Sequence, residues 1–280
     1  MINHPPFLFF AGNIFISLLR GKKLKTLILL LIALPLFAQT DSTKDISKFF
    51  EGRSGTFVLY DKAAEKYFRY NEARSAERFL PASTFKIPNS LIGLESGVIK
   101  DEDFVIKWDS VKRWNDEWNK DHTLKSAIQN SVVWYYQELA RRVGREKMQK
   151  YLDDIGYGSC VIGEKIDFFW LDNSLKISAD EEVEFLKRFY DYKLPFSKRS
   201  VDIVKEIMNE EIYPASRLKF KTGSGQKEDG TWLCWLVGYV EKNKNVYFFA
   251  LNIEGKSFEE TSSARNKISR EVLKFLKVIE

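Results

Sequence analysis

The chain has 280 residues, of which 44% are hydrophobic and 30% charged, a composition that is ordinary for a globular protein. Its net charge is +5, but the first 38 residues hold four basic and no acidic side chains, so the remainder is nearly neutral. This balance argues against a nucleic-acid partner, and two histidines leave little material for a histidine-ligated metal site or for Ser-His-Asp catalysis. We expect neither nucleic acid nor metal among its partners.

The first 38 residues have the order of a secretory signal peptide. Basic residues between positions 20 and 25 precede an apolar run over residues 27–37, and Ala38 follows. An earlier apolar run over residues 7–19 leaves open a start site downstream of Met1 or a retained membrane anchor. Neither run reaches the ~18 residues of a membrane span. We therefore predict a signal peptide over residues 1–38, a periplasmic or secreted location, and no stable membrane span in the mature protein.

The remaining residues, 39–280, are predicted to form one domain, because about 240 residues can enclose a single core. Alternating apolar residues over 55–61 and 66–71 predict an opening β-hairpin. A helix is predicted from Ser83 to about Glu95, with Gly97 ending it and Pro88 bending it. The polar, tryptophan-rich residues 108–121 are interpreted as loop and short helix.

Further helices are predicted from apolar spacing between Leu124 and Leu139, between residues 148 and 155, and over residues 198–208. A capping box at residues 178–181 opens another helix. The chain then changes to strands over 218–222, 232–240 and 246–253, and closes with a helix that carries an apolar face. This order predicts an α+β fold, in which an antiparallel sheet formed by N- and C-terminal strands is flanked by helices, with a helical subdomain.

Residues 80–91 form the stretch on which the functional interpretation depends. Pro81 is well placed just ahead of a helix, which puts Ser83 in the first turn and Lys86 one turn later on the same face. A serine hydroxyl needs an adjacent base to act as a nucleophile, and lysine is a base only where its surroundings suppress its charge. The same Ser-x-x-Lys spacing occurs at Ser216 and Ser224, and a capped helix with a solvated lysine is the alternative interpretation.

Two further elements accompany this pair. Ser-Val-Val at residues 131–133 lies within a predicted helix, and Lys-Thr-Gly at residues 221–223 ends a predicted strand. Each has a plain structural alternative: a helix serine bonded to its own backbone, and a strand end followed by a glycine turn.

In this order and at these separations, the three elements resemble those of the penicillin-recognising serine enzymes, specifically the class D (oxacillinase-type) β-lactamases. The resemblance extends over nearly all of residues 39–280, including Tyr157-Gly158 and the Phe-Trp-Leu of residues 169–171. Class A enzymes carry Ser-Asp-Asn at the second element, where this chain has Ser-Val-Val. The resemblance implies hydrolysis of the β-lactam ring of penicillin-type antibiotics, with antibiotic resistance as the result.

The resemblance also implies a role for each matching residue. Ser83 is the nucleophile, Lys86 takes up carbon dioxide to become the N6-carboxylysine base, and Ser131 passes a proton to the leaving nitrogen. No other cofactor is implied. Backbone N–H groups of Ser83 and Ser224 form the oxyanion hole, and Trp170 donates its indole N–H to the carbamate. The implied substrate-binding residues are Val133, Trp170, Leu171, Lys221, Thr222, Gly223, Ser224 and Arg265.

Two departures limit the resemblance. Ser159 stands where the family has asparagine, and the polar residues 224–230 border the site, so substrate range does not transfer from a relative. A β-lactam sensor that is acylated without turnover, a cell-wall transpeptidase and a structural wall-binding protein stay open as alternatives. Cys160 and Cys234 could pair, although Cys234 lies in an apolar run and is predicted to be a buried thiol. The oligomeric state is not predicted.

Overall fold

The computed structural model describes residues 45–280, so the predicted signal peptide lies outside the described residues. Across that range, every helix is too short or too polar to span a bilayer. The helices are α1 (Ser47–Phe50), α2 (Glu72–Ser75), α3 (Lys86–Glu95), α4 (Leu124–Gln129), α5 (Val133–Val143), α6 (Arg145–Ile155), α7 (Ala179–Tyr190), α8 (Lys198–Ile207) and α9 (Phe258–Phe275). The strands are β1 (Gly55–Asp61), β2 (Lys66–Tyr70), β3 (Val105–Ile106), β4 (His122–Thr123), β5 (Asn209–Tyr213), β6 (Ser216–Gln226), β7 (Trp232–Lys242) and β8 (Asn245–Gly255). Short 3₁₀ helices cover Ala82–Phe85 and Asp116–Trp118.

The central element is a six-stranded antiparallel sheet with the order β2-β1-β8-β7-β6-β5, and the predicted α+β fold is confirmed. The N-terminal hairpin joins the C-terminal strands through β1 and β8, where Gly55 pairs with Ile253. The small β3-β4 pair and the edge strand β5 were not predicted.

Strand β7 shows why both faces of the sheet are covered. Trp235 and Val237 point to the large core shared with the helical subdomain, whereas Cys234 and Leu236 point to a second core closed by α9. Alternate residues of a strand face opposite sides, so a strand buried on both faces has a nearly continuous apolar sequence. The sheet therefore separates two cores, and the site lies beside the larger one.

The helix predicted from Ser83 is divided, and Pro88 lies near the start of its second part and not in a helix interior. Ser83 lies in the 3₁₀ helix, and the α-helix begins at Lys86, two residues before Pro88. As the third residue of α3, Pro88 occupies the first turn, where an N–H has no acceptor within the helix. Proline is therefore accommodated there without breaking a helical hydrogen bond.

The helix predicted across Leu124 to Leu139 is also divided. Its two parts, α4 and α5, are separated at residues 130–132, and Ser131 has a left-handed φ of 55°. The Val132 N–H donates to the Ala127 carbonyl at 2.9 Å, which closes the turn. Ser131 therefore lies in a break between helices, and the predicted position inside a helix is wrong.

Candidate active site

The turn that carries Ser83 is held from two sides. Ala82 has a left-handed φ of 49°, and its N–H donates to the Trp170 carbonyl at 3.1 Å. The indole of Trp235 on β7 donates to the Leu80 carbonyl at 2.9 Å. Both bonds join the turn to separate elements, so the position of the Ser83 hydroxyl is set by the loop before α7 and by the sheet together.

Lys86 lies directly beside Ser83 in an apolar environment. Its Nζ donates to Ser83 Oγ at 2.9 Å, and the side chain is only 1% exposed. The Nζ also lies over the ring of Tyr136, 5.1 Å from the ring centroid. Burial lowers the pKa of Lys86 to about 7, because a charged amine is poorly solvated there. The solvated-lysine interpretation is therefore wrong, and a neutral amine is accessible near neutral pH.

Trp170 packs against Phe85, the residue next to Lys86 in the chain. It is completely buried, stacks on Phe85 with ring centroids 5.5 Å apart, and contacts Phe169 edge to face. Its indole Nε1 has no hydrogen-bond acceptor among residues 45–280. Buried polar atoms are almost always paired, so this N–H marks a place where an acceptor group fits.

Ser131 lines the cleft from the break between α4 and α5. Lys221 on β6 donates from Nζ to Ser131 Oγ at 3.1 Å and to the Thr222 carbonyl at 3.0 Å. Burial, followed by the nearby charges of Lys86 and Arg265, holds the pKa of Lys221 well below its usual range. The strand continues to Gln226, so the prediction that it ends at Gly223 is wrong.

Arg265 on α9 lies at the site, as predicted. Its Nη1 donates to Ser224 Oγ at 3.1 Å and to the Gly223 carbonyl at 3.4 Å, and burial lowers its pKa to about 10. A side chain at position 223 would put its Cβ 2.9 Å from the Pro81 carbonyl oxygen, so only glycine lets β6 approach the turn this closely. Within residues 45–280, the side-chain hydrogen bonds of Lys221 and Arg265 go to hydroxyl, amide and carbonyl oxygens and not to carboxylates, so both side chains can bind an anionic ligand.

A cleft of about 430 Å³ opens above these groups. Seven of the predicted residues line it, namely Ser83, Ser131, Val133, Leu171, Thr222, Ser224 and Arg265. Lys86, Trp170, Lys221 and Gly223 lie behind this lining, and all four are buried. The other two Ser-x-x-Lys occurrences do not reproduce the pair, since Lys219 and Lys227 bind carboxylates. No group of three or more potential metal-ligating side chains occurs within residues 45–280.

An aromatic rim at the cleft mouth was missed by the sequence analysis. Trp114 lies 5.5 Å from Trp118 and 6.1 Å from Phe258, and Phe258 lies 5.4 Å from Trp232, measured between ring centroids. All four line the cleft, and Trp114 is 75% exposed. The tryptophan-rich composition of residues 108–121 was the available signal, but nothing in the sequence connects it with α9 or β7.

The two cysteines are free, and the buried position predicted for Cys234 is confirmed. Ser159 has a structural role. Its hydroxyl accepts a hydrogen bond from the Lys176 N–H at 3.0 Å, and its own N–H donates to the Lys176 carbonyl at 2.8 Å.

Comparison with known proteins identifies the family. The penicillin binding protein transpeptidase domain profile matches residues 51–274. The β-lactamase OXA-48 of Klebsiella pneumoniae is 43% identical over 225 residues, which cover 80% of this chain and 84% of the relative. A crystal structure of the class D β-lactamase YbXI from Nostoc superposes with a TM-score of 0.81 at 40% identity, covering 84% of this chain and 99% of that chain. The regulatory protein BlaR1 of Bacillus licheniformis is 39% identical over 223 residues, but this match covers 37% of its length.

The range matched by the family profile holds the serine, the two lysines and the arginine, and the relative and the solved structure each match more than three quarters of the chain. This chain belongs to the class D serine β-lactamases, a family of hydrolases that act on cyclic amides.

Proposed function

We propose that this enzyme hydrolyses penicillin-type β-lactams through an acyl-enzyme on Ser83, and that it thereby confers antibiotic resistance. The observation that carries the proposal is the 2.9 Å contact between Lys86 Nζ and Ser83 Oγ in a pocket that lowers the lysine pKa to about 7. A hydroxyl beside an amine that can be neutral has the arrangement of an activated nucleophile.

Carboxylation of Lys86 fits the residues around it. A neutral amine adds to carbon dioxide with loss of one proton, and burial makes the neutral amine accessible. The unpaired indole N–H of Trp170 would donate to the new carboxylate, and the Phe85 and Phe169 rings keep the surroundings apolar. The modification would supply an anionic base for acylation and for activating water in deacylation.

The other residues act on the substrate. Ser83 Oγ attacks the lactam carbonyl carbon, and its proton leaves on the side facing position 86. Ser131 donates its hydroxyl proton to the ring nitrogen as the C–N bond breaks. Lys221, whose Nζ lies 3.1 Å from Ser131 Oγ, can then reprotonate Ser131. Backbone N–H groups of Ser83 and Ser224 are assigned to the developing oxyanion.

Binding of the substrate carboxylate is assigned to Lys221, Thr222 and Arg265. Thr222 and Arg265 line the cleft, and the side chains of Lys221 and Arg265 bond to uncharged oxygens. A carboxylate bound by a guanidinium and an ammonium makes charge-assisted hydrogen bonds, which are stronger than neutral ones. Val133 and Leu171 form apolar walls that limit where water enters.

Export is proposed from the sequence alone. The basic cluster, apolar run and Ala38 predict removal of residues 1–38 and a periplasmic or secreted enzyme. Fractionation of cells that express the full chain, with N-terminal sequencing of the product, tests this.

The test of function is turnover of a chromogenic β-lactam by the purified protein, with Ser83→Ala and Ser216→Ala as matched variants. Ser216 has the same Ser-x-x-Lys spacing but lies at the start of β6 away from the cleft. We expect sustained turnover in wild type and Ser216→Ala, and loss of both turnover and covalent adduct in Ser83→Ala. A stoichiometric burst without turnover would support the sensor alternative, and an adduct on Ser83→Ala would refute the nucleophile assignment.

A further inference from the structure

A second buried ionisable group lies beneath the catalytic turn. Glu182 on α7 is 1% exposed, and its Oε1 lies 2.7 Å from Thr84 Oγ1 and 2.9 Å from the Tyr157 hydroxyl. Thr84 immediately follows Ser83. The recorded hydrogen bonds to the Glu182 carboxyl come from these two hydroxyls, so no lysine or arginine neutralises it among the residues of the structure. The roles assigned above do not use this carboxyl.

The hydrogen bonds around Glu182 depend on whether its carboxyl group is protonated. Thr84 has one hydroxyl proton and two acceptors within reach, the Pro81 carbonyl at 2.9 Å and Glu182 Oε1 at 2.7 Å. If Glu182 is protonated, it donates to Thr84 Oγ1, Thr84 donates to Pro81, and Tyr157 donates to Glu182, so every group is paired. If Glu182 is ionised, both hydroxyls donate to it, and the Pro81 carbonyl loses the Thr84 hydroxyl as a donor.

The Pro81 carbonyl lies where the turn meets the sheet. It also accepts the Thr84 N–H at 3.2 Å, and it is the atom that a Cβ on Gly223 would approach to 2.9 Å. The Thr84 methyl group would lie 3.1 Å from the same Cβ, so Thr84 also adjoins this position on β6. A change in the Thr84 hydrogen bond therefore acts at the junction between the turn that holds Ser83 and the strand that holds the Lys-Thr-Gly element.

We propose that Glu182 is a positioning residue: through Thr84 it holds the turn that carries Ser83, and its ionisation redirects the Thr84 hydroxyl away from Pro81. The proposal rests on Ser83 as the nucleophile and adds a pH-dependent support beneath it.

The surroundings of Glu182 place its ionisation in the neutral pH range. Burial is the main cause that raises the pKa of Glu182 to about 7, and the negative charge of Glu181 on the same helix adds to it. Glu181 is itself bound by Arg78. The facing group from the loop after α6 is the Tyr157 hydroxyl, whose own pKa is raised by burial, so it stays neutral. The structure therefore predicts that Glu182 is protonated at pH 6 and ionised at pH 8.5.

The test compares Glu182→Gln with wild type between pH 6 and 8.5, using kcat/KM at saturating bicarbonate so that Lys86 carboxylation is held constant. The glutamine amide keeps a donor facing Thr84 at every pH. We expect the variant-to-wild-type ratio of kcat/KM to rise about two- to tenfold across this range, the equivalent of one neutral hydrogen bond. Glu184→Gln, which changes an exposed carboxylate of the same helix that pairs with Lys187 and does not contribute to the Glu182 pKa, is the matched control and should give a ratio that does not change with pH.

A second pair of variants keeps the proposal testable if Glu182→Gln is unstable. Thr84→Val removes the hydroxyl that carries the effect and keeps the side-chain shape. Its pH profile should lack the Glu182 titration, and adding Glu182→Gln to it should change the profile no further. A flat ratio for Glu182→Gln, or an effect that persists in the Thr84→Val background, would overturn the proposal. Acyl-enzyme formation on Ser83, read by mass spectrometry, separates that outcome from a failure of the nucleophile assignment.

Discussion

Lys86 and Lys221 are both lysines at 1% exposure with a lowered pKa, yet their surroundings differ in kind. Within the described part of the chain, the Nζ of Lys86 has a single hydrogen-bond partner, the Ser83 hydroxyl, and burial alone lowers its pKa. Lys221 has three oxygen acceptors, and its pKa is lowered by burial together with the positive charges of Lys86 and Arg265. The surroundings of Lys86 favour a neutral amine, whereas those of Lys221 would favour a charged amine once an anion binds. Burial alone therefore does not tell which lysine is a base and which binds an anion.

The largest effect should come from exchanging Lys86, because it removes the base. We expect Lys86→Met to lower kcat by ~10²- to 10⁴-fold, the usual contribution of a general base, with a smaller change in KM. Steady-state kinetics with a chromogenic penicillin measure both. Lys221→Met should show the opposite pattern, with KM rising more than kcat falls. Equal patterns in the two variants would contradict the division of roles.

The next effect tests whether the Lys86 pocket holds a carboxylate. Trp170→Phe keeps a ring in the wall but removes the unpaired indole N–H. We expect deacylation to slow about tenfold, as for loss of a hydrogen bond to a charged group, and added bicarbonate to restore part of the rate. Lower pH should worsen the defect, because protonation favours loss of carbon dioxide. A bicarbonate titration that is flat in both the variant and wild type would refute carboxylation and leave Ser83 unaffected.

Arg265→Ala tests whether the guanidinium of Arg265 binds the substrate carboxylate. Because the guanidinium contacts the substrate in the ground state and the transition state alike, KM should rise about tenfold while kcat changes less. A substrate whose carboxylate is esterified should lose this difference between variant and wild type. If KM for the free acid is unchanged, Arg265 does not bind the carboxylate.

The smallest effect is proton uptake at Lys221. Its pKa is depressed in the free enzyme and should rise beside a bound anion, so binding takes up a fraction of one proton and KM should increase with pH. Calorimetry on Ser83→Ala, which binds without turnover, should give binding enthalpies that depend on the ionisation enthalpy of the buffer. The same measurement on Ser83→Ala with Lys221→Met should lose that dependence. Equal enthalpies in all buffers for the parent variant would contradict the uptake.

The sequence predicted the sheet, most helices and the grouping of Ser83, Ser131 and Lys221, because these depend on local periodicity and on ordered motifs. It failed at Ser131, where apolar spacing continues across residues 130–132 and hides the left-handed turn. A periodic pattern records which residues face a core, and both α4 and α5 face the same one. The break between α4 and α5 is a change of backbone conformation at Ser131, and no glycine marks it in the sequence.

The sequence did not predict the aromatic rim or the buried position of Glu182, because both depend on contacts between residues far apart in the chain. Trp114 and Phe258 meet at 6.1 Å although they are far apart in the chain, and Thr84 meets Glu182 across 98 positions. In the sequence, Glu182 was part of a helix start rich in acidic residues, which suits a helix N-terminus exposed to solvent. That it points inward depends on how α7 packs against the turn, which is a tertiary property.

Because β1 pairs with β8, the sheet cannot be completed until the C-terminal strands have been synthesised. The hairpin of β1 and β2 is synthesised early, but its neighbour in the sheet ends at Gly255, so one edge of β1 stays open until almost all of the chain has been made. Contacts between such distant segments slow folding, and an unpaired strand edge invites association with other chains. Fragments that stop before Asn245 should therefore aggregate, and supplying a peptide with the β8 sequence during refolding should suppress that aggregation.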